Sequence, residues 1–274
     1  MFGSAIIVFR ETFEAAILIG IIAAATRSIA GRGLFIGAGI AVGLAGACLV
    51  AALTSTIAAM FEGVGQEAFN AAILALAVVL LAWHNIWMSM HGAELAAGAK
   101  RVGLEVKQGR RELSAILLLI ALAVLREGSE SALFVYGMMS GADLTVATAI
   151  YGTLLGIAAG AAVGFLLYLG MLKIPMRWFF SVTSTLILLL AAGMAARMAH
   201  FLVQADLLPS LKSPLWDVSA ILPMTSPLGI LLHALVGYEA APAGLEVLFY
   251  IATLGVIVAG MFMVQRSPSV QRAR

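Results

Sequence analysis

Charge is what this sequence has least of. Of its 274 residues, 11% are Asp, Glu, Lys or Arg and 62% are hydrophobic, against roughly 25% charged in a soluble domain. That scarcity excludes a water-soluble globule, because too few polar side chains remain to cover so large a core; a mean hydropathy of +1.06 agrees. Cysteine is almost missing. Cys48 stands alone in an apolar run, which excludes an intrachain disulfide and fits no thiol metal motif. Strong charge bias is missing as well, and a formal net charge of +2 gives no reason to expect nucleic acid as a partner. Finally, MFGSAIIVF lacks a basic n-region, and Arg10 and Glu11 break the stretch where a signal peptide keeps its apolar core. Despite the small-residue run AAATRS, this segment is expected to stay as a membrane helix.

What is present is a series of apolar runs. A spanning helix needs about 20 mostly apolar residues, and the stretches 2–26, 34–60, 68–90, 113–139, 145–171, 178–204 and 243–264 qualify. The expected fold is therefore an all-α polytopic membrane protein with seven transmembrane helices. Residues 206–242 hold five of the seven prolines and are expected to form an external Pro-rich loop. Within it, LGILLHALVG is too short to span and reads as a re-entrant or interfacial piece. Basic residues fall in alternate connections: Arg27 and Arg32, then Lys100, Arg101, Lys107, Arg110 and Arg111, then Lys173 and Arg177, and finally Arg266, Arg272 and Arg274. The opposite loops carry Glu62, Glu67, Asp143, Asp206, Asp217 and Glu239, with Lys212 their one base. The positive-inside rule then places the N-terminus outside and the C-terminus in the cytoplasm, as a multi-pass protein of the cytoplasmic (inner) membrane.

A shift of 116 residues superimposes Arg10 on Arg126, Glu11 on Glu127, Glu14 on Glu130, Ala16 on Ala132, Leu53 on Leu169 and His84 on His200. One ungapped offset thus serves three consecutive helices. An odd number of helices per unit inserts the second copy upside down, which is the inverted-repeat plan of many transporters. The chain divides into a first three-helix repeat (1–92), a cytoplasmic basic loop (93–112), a second, inverted repeat (113–205), the Pro-rich loop (206–242), a seventh helix (243–265) and a cytoplasmic tail (266–274). Gly39 and Gly43, and Gly156, Gly160 and Gly164, have spacings that let helices approach closely, and packing alone accounts for them.

The repeat carries its charge in RETFE (Arg10 to Glu14) and REGSE (Arg126 to Glu130). Residues three and four apart share a helix face, so Glu11 and Glu14 project together, and so do Glu127 and Glu130. Mid-membrane charges cost about 2.5–3.5 kcal/mol each on insertion scales, or roughly 8–10 kcal/mol for three. Something must compensate them. Pairing Arg10 and Arg126 with one Glu apiece leaves two carboxylates over, so the pooled motifs are formally −2. A divalent cation would neutralise that surplus, as would protonation of two glutamates. Carboxylate oxygens are hard ligands suited to ferric iron, manganese, magnesium or calcium.

Secondary metal candidates are His84 and His200, each readable as a ligand, a proton relay or a hydrogen-bonded core histidine. Glu67, at the start of the third helix, is the best of the outer acids for drawing cations to the mouth.

At this point the chain resembles the oxidase-dependent iron permease family of fungi and bacteria. RETFE and REGSE match that family's Arg-Glu-x-x-Glu signature, QEAFN with the later IWM resembles its third helix, and LWDVS with LVGYEAAP resembles its last external segment. The resemblance implies an iron permease, not an enzyme, with iron as transported substrate and no cofactor. It also implies that Glu11, Glu14, Glu127 and Glu130 bind iron in passage while Arg10 and Arg126 hold the carboxylates. Asn70 stands where relatives tend to carry a second acid on the third helix, and His84 where a thioether or apolar residue would be unsurprising. No large extracytoplasmic domain is visible, so an oxidase or iron-binding partner is expected as a separate chain. Alternatives are a transporter of another divalent cation (manganese or lead) and an intramembrane di-iron oxidase. The last is disfavoured because di-iron bundles use Glu-x-x-His motifs.

Overall fold

The computed structural model describes residues 2–59, 66–141, 145–170 and 176–265. Their regular structure is all helix, without a strand among the described residues: α1 (Phe2–Ala25), α2 (Arg32–Ala59), α3 (Gln66–Lys107), α4 (Ser114–Gly141), α5 (Val146–Tyr168), α6 (Met176–Gln204), α7 (Pro227–Val236) and α8 (Gly244–Gln265). Five of them, α2, α3, α5, α6 and α8, contain stretches long and apolar enough to cross a membrane. Helices α1 and α4 are as long, at 24 and 28 residues, but each carries the three charges of a motif. Glu62, Asp143, Lys173 and the tail residues Arg266, Arg272 and Arg274 lie outside the described residues.

Glycine sets which helices touch. A Cβ at Gly43 of α2 would stand 2.7 Å from Ala121 O of α4, and one at Gly160 of α5 would stand 2.7 Å from Phe9 O of α1. Only a residue without a Cβ lets those backbones meet so closely. Contacts advance together along both partners, from Gly39–Leu117 to Gly43–Ala121 and from Gly156–Ala5 to Gly160–Phe9. The pairs α2/α4 and α1/α5 therefore run parallel. Helices α3 and α6 pack on each other, and Asn85 Nδ2 of α3 donates to Ser184 O of α6 at 3.3 Å.

The main core joins five helices through Ile7, Leu74, Leu81, Phe134, Ile187, Met194 and Ile257. Exposed Leu, Ile and Phe side chains crowd the outer faces of α2, α5 and α8, as expected where lipid is the solvent.

Two expectations need correcting. The third helix does not stop near residue 90; it runs 42 residues to Lys107, so the basic segment 93–112 is mostly helix. Ala-rich sequence without proline sustains it, and Ala99 and Val106 bury against Ile22, Ile116 and Ile120 at the ends of α1 and α4. The segment 206–242 is a folded cap as well as a loop. Leu215 N donates to Pro242 O at 2.8 Å and Val218 N to Ala240 O at 2.9 Å. Helix α7 begins with Ser226 as N-cap and Pro227 in the first turn, and ends at Gly237 with φ 68°. A Cβ on Gly237 would collide with Gly193 Cα, so α7 hooks onto the middle of α6. Ten residues rise only about 15 Å, too little to cross.

Candidate metal centre

Both motifs sit well inside their helices, Arg10 to Glu14 in the middle of α1 and Arg126 to Glu130 in the middle of α4. In α1, Arg10 Nε lies 2.9 Å from Glu14 Oε1, one turn on, and Nη1 lies 3.2 Å from Glu11 Oε1. In α4, Arg126 Nε lies 3.1 Å from Glu130 Oε1 and 3.7 Å from Glu127 Oε1. The spacing that put charges on one face thus also supplies each motif with its internal ion pair.

The two motifs meet. One ligand atom each from Glu11, Glu127, Glu130 and His84 fall within 4.8 Å of one another. Two carboxylates at that separation repel by roughly 3 kcal/mol at an effective dielectric near 20. Three of them demand compensation that Arg10 and Arg126 supply only in part. Glu11 Oε2, Glu14 Oε2 and Glu127 Oε2 are buried and accept no hydrogen bond among the described residues. A buried carboxylate oxygen without a donor is costly unless a cation or proton takes the place.

His84, from α3, lies between the motifs. Its Nδ1 lies against Glu130 Oε2, and its Nε2 is 3.8 Å from Glu11 Oε2 and 3.7 Å from Glu14 Oε2. The first motif is closed off, with Arg10 and Glu11 at 1% and 0% exposure, while side chains of Arg126 and Glu130 reach 34% and 20%. A cleft of about 220 Å³ between α3 and α4 accounts for the difference. It is lined by Leu80, Trp83, His84, Trp87, Arg126, Glu130 and Leu133. The Arg126 guanidinium stacks 4.3 Å above the Trp87 ring, which helps hold an otherwise lipid-facing charge.

The remaining candidates lie elsewhere. Glu14 is taken by Arg10 and stands beside the cluster, next to His84. Glu67 is exposed at the start of α3. His200 is at the surface, its Nδ1 2.8 Å from Glu246 Oε1 and its Nε2 3.0 Å from Gln204 Nε2. The repeat therefore matches His84 and His200 in sequence without giving them one role.

Sequence reasoning gave no role to Trp87, which stands in the IWM segment one turn after His84, or to buried Asn85, an amide in an apolar run. It also missed Arg197 of α6, whose guanidinium meets His233 Nε2. His233 Nδ1 in turn is held by Tyr238 O at 2.7 Å. In the cap between α6 and α8, Ser219 donates to Asp217 Oδ1 through its amide (2.9 Å) and hydroxyl, holding that acid below the usual carboxylate range.

Long apolar helices around a sunken cluster of carboxylates define a multi-pass membrane transport protein. The profile of the iron permease FTR1 family matches residues 1–270, and the chain belongs to that family. It is similar to the ferrous iron permease EfeU of Escherichia coli O6:H1 (strain CFT073), with 30% identity over 269 residues covering 94% of this chain and 95% of that one. The proteins of the same name from Escherichia coli O157:H7 and Shigella sonnei (strain Ss046) are each 31% identical over 264 residues, at the same coverage. No solved structure matches the chain.

Proposed function

We propose that this permease imports iron across the cytoplasmic membrane through one site at mid-span, formed by the paired Arg-Glu-x-x-Glu motifs. The observation that carries the reading is the convergence of Glu11, Glu127 and Glu130 from two helices within 4.8 Å, together with His84. Four glutamates and two arginines leave a surplus of two negative charges, which a divalent ion matches. The relatives named ferrous iron permeases support the ferrous ion as cargo. Arg10 and Arg126 hold the carboxylates in place, and Glu14 lies within reach of the site beside His84.

Seven spans, α1 to α6 and α8, arranged as two inverted repeats plus α8, fit this role. Helix α5 runs parallel to α1, and α4 runs parallel to α2. Matching contacts α1/α5 and α4/α2 are what a two-fold axis in the membrane plane would produce. The basic ends and the acidic cap support an external N-terminus and a cytoplasmic C-terminus. Glu67 and the other outer acids would concentrate cations at the mouth, and an oxidase or iron-capturing protein would act as a separate chain.

Uptake of Fe²⁺ into proteoliposomes tests the reading. Both Glu14→Ala and Glu130→Ala should abolish uptake while leaving folded protein; normal uptake by both contradicts it.

A further inference from the structure

We infer that His84 sets the metal selectivity of the site: its ring nitrogen joins carboxylates from both motifs and favours divalent transition ions over magnesium and calcium. The inference rests on the reading that the paired motifs bind the cargo.

Position is the first argument. His84 belongs to neither motif, yet it contacts Glu130 on one side and faces Glu11 and Glu14 at 3.8 and 3.7 Å on the other. It is 3% exposed, and neither ring nitrogen makes a hydrogen bond of ordinary geometry among the described residues. A structural histidine engages its nitrogens with fixed partners. His200 shows that arrangement in the same molecule, with both nitrogens held at 2.8 and 3.0 Å. His84 instead directs both nitrogens into the carboxylate cluster.

Donor chemistry is the second. A cluster of carboxylates alone suits magnesium, calcium and manganese, which take oxygen ligands. Imidazole is a borderline donor favoured by iron, nickel, copper and zinc. A neutral ring also adds a ligand without adding charge, so the match between a surplus of two and a divalent ion is kept. Only one of the two repeat-related histidines reaches the site, so the donor set is three oxygens and one nitrogen.

Pulsed electron paramagnetic resonance of Mn²⁺ bound to the purified protein reads the ligand directly. Modulation from an imidazole ¹⁴N is expected in the unaltered protein and should vanish in His84→Gln while Mn²⁺ stays bound. In proteoliposomes, Mg²⁺ should compete with Fe²⁺ uptake about tenfold or more effectively in His84→Gln. No nitrogen signal in the unaltered protein, an unchanged signal in His84→Gln, or unchanged Mg²⁺ competition overturns the inference. Glu127→Gln separates it from the reading beneath it. Mn²⁺ affinity lost in Glu127→Gln with an unchanged nitrogen signal in His84→Gln removes the selectivity role alone; affinity kept in Glu127→Gln removes the shared site, and the inference with it.

Discussion

Arg10 and Arg126 occupy equivalent places in the two motifs but live in different surroundings. Arg10 is buried among Glu11 and Glu14, whereas Arg126 is a third exposed and rests on Trp87. Removing one member of a buried charge network typically costs about 3–5 kcal/mol, a cost that falls fully on the Arg10 motif, whereas Glu130 opens on the cleft and keeps His84 as a partner when Arg126 is lost. Arg10→Gln should therefore lower the thermal unfolding midpoint in detergent far more than Arg126→Gln, and equal shifts would count against this asymmetry. That the motif residues form a buried charged cluster was legible in the sequence, because three charges in an apolar run are costly and must be compensated. The choice between His84 and His200 was not. Both are single histidines in equivalent positions, and what separates them is tertiary: α3 faces both motifs, while the C-terminal end of α6 meets Glu246 of α8.

At the scale of the element, glycine decides how near the motif helices come to their partners. Gly160→Ala places a methyl group against Phe9 O and Thr12, an overpacking that costs about 1–3 kcal/mol. Gly98 of α3 has nothing within 4 Å of where its Cβ would be, so Gly98→Ala should be stabilising by up to about 1 kcal/mol through helix propensity. Differential scanning fluorimetry of the two variants should show shifts of opposite sign. Hydropathy located the helices well, because every run of about 20 apolar residues became one. It failed at the end of α3, where the apolar run stops and the helix continues on Ala99, Gly103 and Val106 packed against α1 and α4. It also understated the cap, where a proline-rich composition concealed the hydrogen bonds between 215–218 and 240–242.

For the whole molecule, the proposed orientation, with basic segments inside and the acidic cap outside, can be checked. Cys48 is the lone cysteine and is exposed on α2, so a Cys48→Ala background gives clean labelling. Asp217→Cys in the cap should react with a membrane-impermeant maleimide on intact cells, and Arg110→Cys only after permeabilisation; the reverse pattern would invert the topology. The ungapped offset of 116 residues is the ground for proposing two related units. Nothing in it showed that the charged faces of α1 and α4 converge, since that depends on the glycine contacts that seat α1 on α5 and α4 on α2. Whether the motifs form one site or two is the central question. Equilibrium Fe²⁺ binding to the purified protein, titrated anaerobically, answers it most directly. One ion per chain, lost in both Glu11→Gln and Glu127→Gln singly, is the expected result; two ions per chain, each lost with one motif only, would contradict the shared site.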